Sequence, residues 1–70
     1  MITIYMPLLD EGTDCWRPVG ATLLGAQFYR VEGEVPLDEI WAFPPGSIVV
    51  CEKRKFQSGE SRMTAIALAP

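Results

Sequence analysis

Seventy residues, 49% hydrophobic and 21% charged, specify one globular domain spanning 1–70 and exclude a disordered chain. No apolar stretch approaches the roughly 20 residues of a membrane span. A net charge of −3 argues against a general nucleic-acid binder, and the lack of histidine removes the usual base of a nucleophilic enzyme.

Residues Ile2, Ile4, Met6 and Leu8 alternate with Thr3, Tyr5, Pro7 and Leu9, a period of two that predicts a strand with the first set inward. Pro7 lacks an amide hydrogen, which places it at an edge or a bulge. The polar run Asp10-Glu11-Gly12-Thr13 predicts a turn. A second extended run covers Asp14 to about Leu24, and the mixed polarity of both its faces predicts a bulge near Pro18 and Gly20. After a break at Gly25-Ala26, Gln27 to Glu32 reads as a strand with Tyr29 and Val31 inside. Gly33 to Asp38 is a loop. Glu39 to Phe43 reads as a short strand ended by Pro44-Pro45, with Pro45-Gly46 suited to a type II turn. Ser47 to Phe56 and Arg62 to Ala69 form the last hairpin, turned by Gln57 to Ser61.

Five or six short strands with no helical period predict an all-β, antiparallel, SH3-like barrel, whose closure removes aggregation-prone edges. Domains this small need nearly all their large apolar side chains for the core.

The elements Gly12-Thr13-x-x-Trp16-Arg17-Pro18-Val19, Tyr29-Arg30-Val31 and Trp41-x-Phe43-x-Pro45-Gly46-Ser47-x-Val49-x-Cys51-Glu52 occur in that order. This pattern, from about Ile4 to Phe56, resembles a family of small, uncharacterised bacterial proteins with SH3-like barrels. The resemblance implies the same fold and a bacterial cytosolic origin, and it implies no ligand or activity.

Cys15 and Cys51 lie 36 positions apart, with no Cys-x-x-Cys pair and no histidine to complete a zinc site. The start of the chain has no basic, cleavable leader, so a cytoplasmic address and reduced, partly buried thiols are expected. The acids Glu11, Asp14, Glu32, Glu34, Asp38 and Glu39 read as solvated loop and strand ends. Their spacing matches no calcium loop, and no glycine-rich segment cradles a phosphate. The expectation is a non-enzyme with no cofactor and no metal.

Trp16, Arg17, Trp41 and Phe43 are the candidate ligand-binding residues, because tryptophan and arginine are enriched at binding hot spots. The spacing of Trp41 and Phe43 before a turn favours core packing, whereas Trp16 is evenly balanced between core and surface. Arg17 is expected to stack on a ring or to pair with Asp14 or Glu32. Together these features predict a non-catalytic interaction module whose partner is another protein or a second copy of itself, bound by an aromatic face or an exposed strand. The alternative is a single-stranded nucleic-acid binder, with Lys53, Arg54, Lys55 and Arg62 along the last hairpin and Phe56 for stacking. Charge weighs against it. Residues 1–45 hold seven acids and two arginines, and residues 46–70 hold two acids and four bases.

Overall fold

The computed structural model describes residues 2–10, 15–56 and 58–70. The turn expected at 10–13 and the carboxylates of Glu11 and Asp14 therefore fall wholly or partly outside the described residues. Five strands form: β1 (Ile2–Pro7), β2 (Trp16–Gly25), β3 (Phe28–Val31), β4 (Ile48–Lys55) and β5 (Ser61–Leu68). They close into one barrel in sequence order, with no helix among the described residues. The fold is the small, SH3-like all-β barrel expected. Its consecutive pairs are antiparallel, and the closing seam is a parallel pair of β1 with β5 at Tyr5 and Thr64.

Alternation decides which side chains enter the core. Ile4 and Met6 of β1, Val19 and Ala21 of β2, Tyr29 and Val31 of β3, Val49 and Cys51 of β4 and Ala65 of β5 are buried together with Trp41. Leu8, Val35, Phe43 and Met63 pack against that cluster from its margins. Ile2 shares the inward set with Ile4 but is 40% exposed, because it lies at the end of β1 with only the small Ala21 opposite.

The bulge of β2 lies between Leu23 and Gly25, not at Pro18 and Gly20, which stay in register opposite Tyr5 and Thr3. Pro18 fits a regular strand here because the β3 ladder reaches only to Ala21, leaving one side of β2 unpaired at the proline. The break after β2 falls where expected, at a turn over Ala26 and Gln27 in which Ala26 takes a φ of 45°.

Glu39 to Phe43 is not a strand. Trp41 makes a single bridge to Leu8, flanked by Leu9 N donating to Ile40 O and Ala42 N donating to Pro7 O. Pro7 accepts but has no amide to return, and Pro44 and Pro45 end the segment on the other side, so the ladder cannot grow. The segment instead lies across the end of the barrel and lowers the Trp41 indole into the core. The following turn forms as expected: Ser47 N donates to Pro44 O at 3.1 Å, and Gly46 takes a φ of 90°, the position where a type II turn needs glycine.

Candidate functional site

The sequence candidates separate into two groups on different parts of the barrel. In the first, Trp41 is buried and its Nε1 donates to the Glu39 carboxylate at 3.0 Å. Arg17 Nε donates to the same carboxylate at 2.7 Å. These two donors, Arg17 first, hold the Glu39 carboxyl below its ordinary pKa. Phe43 packs against the same core. Arg17 thus pairs with Glu39 and not with Glu32, while Asp14 lies outside the described residues. Glu32 accepts from Thr22 at 2.7 Å and from Arg30 at 2.8 Å, which lowers its own pKa. Trp41, Phe43 and Arg17 are accounted for by packing and pairing.

The second group gathers around Trp16. By alternation Tyr5 and Pro7 point opposite to Ile4 and Met6, and Trp16 points opposite to Arg17, so all three lie on the outer face of β1 and β2. Phe56, just past β4, lies against this face. Its ring centroid is 5.3 Å from Trp16 in an edge-on arrangement and 5.6 Å from Tyr5. The far end of the β4–β5 hairpin is therefore folded onto β1 and β2. Two backbone bonds brace the hairpin turn: Phe56 N donates to Glu60 O, and Gly59 N donates to Phe56 O, both at 2.9 Å.

Two arginines frame the rings. The Arg54 guanidinium stands 5.0 Å from the Trp16 ring centroid, a cation–π contact. Arg62, opposite Arg54 in the ladder, pairs with Glu60. Its hydrogen bond to Tyr5, followed by the Glu60 charge, raises its pKa. The three basic residues of the run Lys53-Arg54-Lys55 do not act together. Lys53 and Lys55 stand opposite Met63 and Ser61 on the alternate face, and only Arg54 reaches Trp16.

Beside the cluster the barrel opens into a cleft of about 320 Å³, lined by Pro7, Trp16, Arg54, Thr64, Ala65 and Ile66. It lies at the seam where β1 and β5 share one pair, because Pro7 cannot donate to extend the parallel ladder. Pro7, Trp16, Ala65 and Ile66 supply apolar wall. Thr64 is buried, and its hydroxyl donates to Arg62 O at 3.2 Å. Among the described residues, no carboxylate, thiol or lysine lines the cleft. Its chemistry suits an apolar group with a negative charge alongside.

No group of three metal-ligating side chains occurs among the described residues. Cys51 is buried at the inner face of β4, where burial pushes its thiol up to about 11. Cys15 is half-buried. No helix among the described residues is long and apolar enough to cross a membrane.

Sequence reasoning divided these residues differently. It grouped Trp16 with Trp41, and Phe56 with the basic run. The structure joins Trp16 to Phe56 and Arg54, and adds Tyr5, Pro7 and Ile66, which were not among the candidates. The usable signal was the outward position of Tyr5 on a strand whose other face is wholly apolar. Comparison with protein-family models, with curated proteins and with solved structures returned no match.

Proposed function

We propose that the chain is a non-catalytic interaction module that binds another protein through the face built by Trp16, Tyr5, Phe56 and Arg54. The observation that carries this reading is the cation–π pair of Arg54 and Trp16 at the rim of an open, apolar-walled cleft. Tryptophan and arginine are the side chains that dominate binding hot spots, and a cleft of this size accepts one apolar side chain of an extended peptide. The likeness to small bacterial barrels fits a cytoplasmic module of this kind and names no ligand.

Single-stranded nucleic acid is the second reading, favoured by Phe56, Arg54 and Arg62 standing together. It is the weaker one. Phe56 is packed edge-on against Trp16, and Arg54 stands over one face of the Trp16 ring, so the rings are engaged with one another and are not laid out as successive platforms for bases.

The test titrates isotope-labelled protein at low salt with two probes, a pool of acidic, proline-containing peptides and an oligothymidylate, read by NMR. Peptide-induced shifts at the Trp16 indole and the Arg54 side chain, with Trp41 unmoved, support the proposal. Shifts caused only by the oligothymidylate overturn it in favour of the second reading. No movement of Trp16 with either probe also overturns it.

A further inference from the structure

We propose that the occupant of the Trp16–Arg54 cleft is Leu37 of a second copy of this chain, with Asp38 of that copy against Arg54. This rests on the cleft being a protein-binding site, as argued above, and names its partner.

Leu37 is the least expected side chain on the surface. It is wholly exposed, at 108% of its reference area, whereas the other large apolar side chains exposed among the described residues lie between 40% and 60%. Its position is also fixed. Glu39 N donates to Pro36 O at 3.1 Å, which closes a turn with Leu37 and Asp38 at its corner. On one side of the turn Val35 packs against the core; on the other, Glu39 is tied to Arg17 and Trp41. A leucine presented by a turn anchored at both ends loses little freedom when it docks.

The cleft complements this knob in shape and in charge. Its volume of about 320 Å³ is ample for one leucine side chain, and Pro7, Trp16 and Ile66 give that side chain apolar contacts. Among the described residues Arg54 forms no ion pair, and neither do Glu34 and Asp38 beside Leu37. Docking sets the Asp38 carboxylate beside the Arg54 guanidinium, with Glu34 adding to the negative charge next to the knob. Knob and cleft are different patches of one molecule, so copies associate either by exchanging knobs across a two-fold axis, as a closed dimer, or head to tail, as a ring or a chain.

The test is sedimentation velocity over protein concentrations of roughly 10 µM to 1 mM, the range suited to a contact of this size. Wild-type protein is expected to associate with rising concentration, and less so at high salt. Leu37→Ser keeps the cleft and lacks the knob; Arg54→Glu keeps the knob and spoils the cleft. Each is expected to weaken association about tenfold or more. Both changes are at exposed positions, and circular dichroism checks that the barrel persists. Mixed in equal amounts, the two variants have one working contact between them and should form a one-to-one dimer that grows no further. A mixture that remains monomeric overturns the proposal, as does association indifferent to both substitutions. If the wild type is monomeric throughout while Trp16 still responds to the peptides, this inference fails and the protein-binding reading stands. If neither response occurs, both fail.

Discussion

Replacing Phe56 with leucine tests whether the aromatic cluster holds the hairpin to the barrel. Leucine keeps most of the apolar bulk but removes both ring contacts, to Trp16 at 5.3 Å and to Tyr5 at 5.6 Å. Aromatic pairs contribute about 0.5–1.5 kcal/mol each beyond the area they bury. Both Phe56 and Trp16 are only half-buried, which favours the lower half of that range, so the loss is expected at about 1–2 kcal/mol. In a domain this small, one kcal/mol moves the melting temperature by roughly 4–8 °C, so F56L should melt about 5–15 °C below the wild type. Urea denaturation and calorimetry measure the loss. A double-mutant cycle with Trp16→Leu isolates the ring pair, with a coupling of about 0.5 kcal/mol or more expected. A loss below about 0.5 kcal/mol, within the range of ordinary surface changes, together with zero coupling, would refute the reasoning. The hairpin would then be held by its backbone ladder alone.

Three further outcomes are expected. Ala26 takes a φ of 45° at the first corner of the β2–β3 turn, so Ala26→Gly should stabilise the protein by about 1 kcal/mol in urea denaturation. Burial holds the proton on Cys51 to about pH 11, whereas an ordinary thiol releases it near 9. The unfolded chain therefore loses that proton first, and stability present below pH 9 should fall by about 2 kcal/mol as pH rises to 11, a slope that Cys51→Ala removes. Glu39 behaves oppositely, because its pKa is lowered by Arg17 and Trp41. Its contribution is present above the ordinary carboxylate range and is lost as pH falls through the depressed value, so Glu39→Gln should flatten the acid limb of stability followed by Trp41 fluorescence.

The parts of the fold legible in the sequence are those that local chemistry decides. Alternation placed Ile4, Met6, Tyr29 and Val31 inside, and Pro45-Gly46 specified its turn, because period two and a glycine φ need no distant partner. Trp41 and Phe43 were readable as core for a related reason, since a small core demands its rings. The bulge of β2 was misplaced because Pro18 and Gly20 carry the local signal for irregularity. What decides the matter is how far β3 extends along β2. The site was harder still. Trp16 and Phe56 are 40 positions apart, and their contact depends on how the last hairpin folds over the barrel. Even so, alternation alone separates Arg54 from Lys53 and Lys55, a division that reading the three as one basic patch overlooks.

The lopsided charge of the chain gains meaning once its ion pairs are placed. Both arginines of the first 45 residues are paired, Arg17 with Glu39 and Arg30 with Glu32, and Arg62 of the last hairpin is paired with Glu60. Among the described residues, those left without an ion pair include the acids Glu34 and Asp38 in the loop that precedes β4 and the bases Lys53, Arg54 and Lys55 at the end of that strand. The loop is tied back to β1 and β2 by Arg17 donating to Glu39 and by Ala42 N donating to Pro7 O. It presents acids beside the exposed Leu37, whereas the end of β4 presents bases beside Trp16. Two molecules that set like patches together bring like charges together, which costs free energy and slows encounter. Setting the first patch against the second brings Asp38 to Arg54. Electrostatics therefore favours the same pairing that Leu37 and the cleft favour, from side chains that the apolar contact does not involve.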